Sequence, residues 1–113
     1  MRQYGEVPPW VGAGAAPAIA SASGLGTGGG AGIVTSDGNG FGEIRLKFGA
    51  GVSATQTLIL AFAAPPPPMF FASRNGASIA QSTTGNQITL TVTYSAAPQP
   101  GNGGIDYEWG TSV

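Results

Sequence analysis

Hydrophobic and polar residues alternate along much of this chain with a period of two, the repeat of a strand that buries one face. Phe41–Phe48 (FGEIRLKF) sets Ile44, Leu46 and Phe48 on one side and Glu43, Arg45 and Lys47 on the other. Gln87–Ser95 repeats the pattern, with Ile88, Leu90, Val92 and Tyr94 against Thr89, Thr91 and Thr93. Ile105–Trp109 alternates Ile105, Tyr107 and Trp109 with Asp106 and Glu108. Thr55–Ala63 places Leu58, Leu60 and Phe62 on one face, while its other face (Thr57, Ile59, Ala61) is only mildly polar. A strand apolar on both faces is covered on both sides. In a sandwich, a neighbouring subunit would supply the second cover. Ile33–Thr35, Met69–Ser73 and Ser78–Ser82 are shorter strand candidates.

Turn signals separate these runs. Asp37-Gly38-Asn39-Gly40, Gly49-Ala50-Gly51, Asn75-Gly76 and Thr84-Gly85-Asn86 each favour a tight reversal. Pro65–Pro68 donates no ladder hydrogen bonds and prefers an extended conformation, so it reads as a corner between two strands. Pro98–Gly104 reads as a loop. No window carries a helical stripe. The pattern predicts six or seven short strands in an all-β, compact antiparallel β-sandwich or jelly-roll-like domain over residues 31–113. Residues 1–30 read as an extended N-terminal arm. Pro8 and Pro9 stiffen its start, and Trp10 and Val11 are isolated apolar anchors. From Gly12 to Gly30 it is almost wholly Gly, Ala and Ser, with Ile19 and Leu25 the only large apolar side chains, which reads as a linker or a tail that orders on a partner.

Composition narrows the function. The chain has 113 residues, one domain's worth, and neither cysteine nor histidine. That excludes disulfides, the usual zinc sites and histidine acid/base catalysis. Only 8% of residues are charged, against about 25% in ordinary domains. The net charge of −1 offers no basic field to nucleic acid. Glycine (20) and proline (9) are abundant, yet hydrophobic content is 42%, far above a disordered linker. A surface of Ser, Thr, Asn, Gln and Gly opposes self-association only weakly. A core this small gains from oligomerisation. The start, MRQYGEVPPW, carries no apolar export segment, so the chain is expected to fold in the cell that makes it. No apolar stretch is long enough for a membrane-spanning helix.

Candidate chemistry is sparse. Asp106 and Glu108 share a strand face, loosely like a glycosidase pair, but a solvated outer face explains them better. Asp37–Gly40 lacks the further acidic ligands of a calcium loop. Gly26–Gly32 lacks the strand, helix and lysine of a phosphate loop. Arg74 sits at a predicted loop tip, a possible partner contact.

Gly26–Val113 resembles a small β-sandwich module of tailed bacteriophages. The likeness rests on Gly-Thr-Gly at the start, then a Gly-x-Ile-x-Leu strand (Gly42, Ile44, Leu46). It continues with a strand ending Phe62-Ala63, a proline-rich corner before an apolar strand, the threonine-rich ITLTVTY, and a final aromatic strand with Tyr107 and Trp109. Such modules occur in capsid decoration (cement) proteins, head fibres and tail fibres, generally as trimers. The resemblance implies a non-enzymatic virion protein without cofactors. It would be made in the host cytoplasm and placed on the capsid surface, with the major capsid protein and its own copies (a homotrimer) as partners and neither nucleic acid nor membrane. With it, the arm is expected to bind the capsid through Tyr4, Pro8, Pro9, Trp10 and Val11, and the two-sided apolar strand with the proline corner is expected to form a subunit interface at Thr57, Ile59, Ala61, Pro66 and Pro67. The alternative is a tail- or fibre-associated receptor- or glycan-binding module, with recognition carried by the loops at Arg74–Gly76 and Pro98–Gly104.

Overall fold

The computed structural model describes residues 17–37, 41–66 and 68–109. They form eight strands: β1 (Ala18–Ser23), β2 (Gly30–Asp37), β3 (Phe41–Phe48), β4 (Thr55–Ala61), β5 (Met69–Ser73), β6 (Ser78–Thr84), β7 (Gln87–Thr93) and β8 (Gly101–Trp109). There is no helix among the described residues. The strands make two four-stranded sheets, ordered β1-β4-β7-β6 and β2-β3-β8-β5, and every neighbouring pair is antiparallel. The protein is an all-β antiparallel sandwich. The two hairpins, β2–β3 and β6–β7, stay within a sheet, while the other connections cross between sheets.

Alternation decides which residues meet in the middle. Leu58 and Leu60 of β4 and Ile88, Leu90 and Val92 of β7 face Ile44, Leu46 and Phe48 of β3 and Ile105 and Tyr107 of β8, all buried. Removing a side chain of this size from water contributes about 1.5–3 kcal/mol. Phe48 and Tyr94 meet edge to face across the core, with ring centroids 5.9 Å apart and planes at 88°, an arrangement the ring quadrupoles favour. Burial pushes the Tyr94 phenol above its usual pKa. Its hydroxyl faces Ser73 but makes no well-formed hydrogen bond.

The Gly/Ala/Ser stretch read as a linker is partly ordered structure. Ala18–Ser23 is strand β1, paired with β4 over Ala18–Ala61 to Ser23–Thr57, with a bulge between Ile19 and Ser21. Leu25 is buried in the core and Ile19 packs against it. The glycines that follow dock backbone on backbone. Gly49 N donates to Leu25 O at 2.8 Å, Ser53 N to Gly24 O at 2.9 Å, and Thr27 and Ala50 exchange a pair of bonds. At Gly26 (φ +86°) a Cβ would sit 2.7 Å from Ala50 O, so only glycine lets the two backbones approach. Small residues here serve close contact, not freedom. Residues 1–16 lie outside the described positions.

Other boundaries differ from expectation too, and two of the differences bear on the site. β2 is eight residues long rather than three. β8 begins at Gly101, so more than half of the predicted 98–104 loop is strand. Gly103 lies there because a Cβ would meet the Phe48 ring at 2.6 Å.

Candidate association surface

With the inward positions committed to the core, function must come from the outward ones. The two sheets differ completely in this respect. Strands β1, β4, β6 and β7 contain no charged residue. All seven charged residues among the described positions belong to β2, β3 and β8 or, for Arg74, to the turn after β5.

Register converts the uncharged strands into a lattice. Thr57 of β4 lies between Ser23 of β1 and Thr91 of β7, with Ala80 of β6 beyond. The next row brings Ile59 between Ser21 and Thr89, with Ser82 beyond. Ala61 lies between Ala18 and Gln87, with Thr84 beyond. At the other end Thr55 faces Thr93, with Ser78 outside it. All these positions are exposed or half-buried. The result is a face of methyls and hydroxyls with Ile59 near its middle. Thr57, Ile59 and Ala61, expected to be covered by a neighbour, form the outward ridge of this face. Pro66 is half-buried in the corner between β4 and β5. Pro67 lies outside the described residues, as do Tyr4, Pro8, Pro9, Trp10 and Val11 of the arm.

The opposite sheet carries a self-neutralised charge network. Its register sets Glu43 beside Asp106, and Arg74 reaches over both from the β5–β6 turn. Arg74 Nε lies 3.0 Å from each Asp106 oxygen, and Nη2 donates to Oδ1 at 2.7 Å. Nη1 lies 2.6 Å from Glu43 Oε2, and Arg45 Nε donates to Glu43 Oε1 at 3.2 Å. Hydrogen bonding to Arg74 holds the Asp106 carboxyl below the usual carboxylate range, and the same bond raises the Arg74 pKa. The turn carrying Arg74 is itself fixed. Ser73 Oγ accepts from the backbone N–H groups of Asn75 and Ala77, and Arg74 N donates to Gly104 O at 2.9 Å. Asn75 Oδ1 in turn accepts from Gly104 N at 2.9 Å.

The two loops singled out by sequence therefore meet. Around them lies an open depression of about 540 Å³, lined by Glu43, Arg45, Arg74, Asn75 and Asn102 and floored by Gly103 and Gly104. A second of about 380 Å³ adjoins it, with Val34, Phe41 and Glu108 on its wall. Val34 and Phe70 are the exposed large hydrophobics among the described residues. Asp106, expected on a solvated outer face, is about half exposed there and also anchors Arg74. The bridging of Glu43 and Asp106 by Arg74 joins strands far apart in sequence and left no local signal.

Among the described residues no group of three or more Asp, Glu, His or Cys side chains could hold a metal ion, and no helix is long and apolar enough to cross a membrane. In comparisons with known proteins the chain matches no family model, no curated protein and no solved structure at a significant level.

Proposed function

We propose that the protein is a virion structural protein, a capsid decoration (cement) protein that binds the assembled phage shell as a homotrimer and stabilises it. The observation that carries this reading is the uncharged outer face of the β1-β4-β7-β6 sheet. Covering a charged surface costs several kcal/mol for each ion left unpaired. Hydroxyls and methyls cost far less, and hydroxyls find new partners readily. A face with Ile59 at its middle and no charge suits burial against other copies. The phage and capsid part of the reading is supported by the sequence resemblance alone.

The mechanism is mass action. A protein that binds the assembled lattice and not its dispersed subunits stabilises the lattice by RT ln(1 + [L]/Kd), about 2.7 kcal/mol at a hundredfold excess over Kd. Three linked copies add avidity, because the second and third contacts become intramolecular. In this reading the shell contact is made by the arm at Tyr4, Pro8, Pro9, Trp10 and Val11, and no chemistry is assigned to Asp106 or Glu108. Co-sedimentation of the purified protein with undecorated, mature capsids tests it. Saturable binding that raises the capsid's disruption temperature is expected. A protein that stays in the supernatant at micromolar concentration overturns the reading.

One observation favours a second reading, a tail- or fibre-associated receptor- or glycan-binding module. The Arg74–Gly76 turn and the start of β8 frame a depression rich in fixed donors and acceptors, with Phe70 exposed on the same sheet. Glycan-array binding that is lost in an Asn102→Ala variant would move the assignment there.

A further inference from the structure

The uncharged face is too small to hold copies together alone. Four strands of about seven residues cover roughly 19 Å by 22 Å, or about 400 Å², at ordinary strand spacing and rise. A stable interface takes about 800 Å² from each partner. Contact must extend past the face, and the sheet's edges are where it can.

The edges of this sheet are β1 and β6. β6 pairs with β7 in unbroken register from Ser78 to Thr84. It has no proline and no charge, and six of its seven residues are exposed. Natural sheets protect such an edge with lysine, proline, a bulge or a covering loop, and β6 has none of the first three. The β5 edge of the other sheet, by contrast, is five residues long, follows the proline run, and has its Met69 carbonyl capped by Gln81 Nε2 at 3.2 Å. β1 is equally free of charge and proline. Its bulge between Ile19 and Ser21 kinks the first half, leaving Ser21–Ser23 as the straight part.

Strand direction then selects the partner. The sheet has an even number of strands, each antiparallel to the next, so β1 and β6 run in opposite directions. A second copy related by rotation about an axis parallel to the strands brings its β1 beside β6 with the antiparallel alternation unbroken. Such a contact joins different surfaces of the two copies, so it closes only as a ring.

We propose that β6 of one copy pairs through its backbone with the Ser21–Ser23 half of β1 in the next. The three sheets then continue around a threefold axis, with their uncharged faces turned inward. The inference deepens the trimer reading above and rests on it. The main-chain bonds give the strength, and the small side chains of both strands let the backbones approach.

The test is native mass together with residue-resolved amide exchange on the full chain. The expected result is a mass of three chains with the outward-pointing β6 amides opposite Ser21–Ser23 protected. In a bare edge strand alternate amides point to solvent, and those opposite Ser21–Ser23 here exchange at least about 100-fold more slowly. Thr83→Lys, an exposed position on the side of β6 away from the uncharged face, is expected to give single chains whose alternate β6 amides exchange fast. Three results overturn the proposal: a wild type that is monomeric, a Thr83→Lys protein that keeps three chains, or a trimer whose alternate β6 amides exchange as in a free edge. The last would leave packing through the face intact and remove only the edge contact. Should Thr83→Lys fail to fold, the wild-type exchange pattern decides alone.

Discussion

Strands β7 and β8 hold equivalent places, each at the inside of a four-stranded sheet. Inward they are alike: Ile88, Leu90 and Val92 on one, Ile105 and Tyr107 on the other, all buried. Outward they are opposites, with Thr89, Thr91 and Thr93 on β7 and Asp106 and Glu108 on β8. Either choice satisfies the polar half of a strand's alternation, so the monomer's stability does not decide between them. What differs is the cost of being covered. The charged sheet keeps its water and ties its charges to one another through Arg74. The threonine sheet can give up its water to another protein.

The comparison breaks most visibly if the inner halves are not equivalent. Leu58→Ala in one sheet and Ile105→Ala in the other, both fully buried, should each cost about 2–5 kcal/mol by chemical denaturation. A loss under about 1 kcal/mol at either would mean that the core is not shared. A smaller loss is expected at Gly42. It faces inward opposite Tyr107, and a Cβ there would sit 2.5 Å from the phenol oxygen. Gly42→Ala should destabilise by about 1–3 kcal/mol through overpacking, seen as a lower denaturant midpoint with an unchanged slope.

Outward substitutions sharpen the contrast itself. Ile59→Lys puts a charge at the middle of the uncharged face. The isolated chain should fold with little change, while native mass falls to one chain. Lys47→Thr, on the charged sheet, should leave the oligomer as it was. Equal behaviour of the two variants would sink the distinction between the faces.

The smallest effect concerns pH. Asp106 is held below the usual carboxylate range by Arg74. The unfolded carboxyl titrates near pH 3.9, so the pair's contribution is present above that value and is lost as pH falls through the lower folded value. Both partners are about half exposed, and solvent screening keeps such a contribution small. Asp106→Asn should lower the melting temperature slightly at pH 7 and leave it unchanged at the acid end, which flattens the acid limb. A large shift at neutral pH would show that the bridge does more than pin the turn.

Much of this fold is legible in the chain. β3 and β5 begin and end where alternation places them, and β4 and β7 end two residues early, at Ala61 and Thr93. β1 escaped because AIASAS has almost no hydrophobic contrast for a period to show. The start of β8 escaped because Gly-Asn-Gly-Gly reads as a loop, and the need for glycine there comes from Phe48, far away in sequence. Thr57, Ile59 and Ala61 stood out because their strand is apolar on both sides. The wider neutral lattice around them did not, since it depends on which strands become neighbours. For the same reason the Arg74 bridge was invisible, spanning 32 residues to Asp106.

The pairing of β3 with β8 has a consequence during synthesis. Phe41 pairs with Glu108 and Phe48 with Gly101, so β3 waits for more than fifty further residues before that partner exists. Non-local pairings of this kind form slowly, and an unpartnered strand is open to aggregation meanwhile. β3 is also the strand with the most charge, Glu43, Arg45 and Lys47 alternating with its apolar residues. Charges placed this way keep nascent chains from adding to one another. The charged sheet thus guards the half-made protein, and the neutral sheet is spared that duty because β4, β6 and β7 lie close together in the chain and find one another sooner.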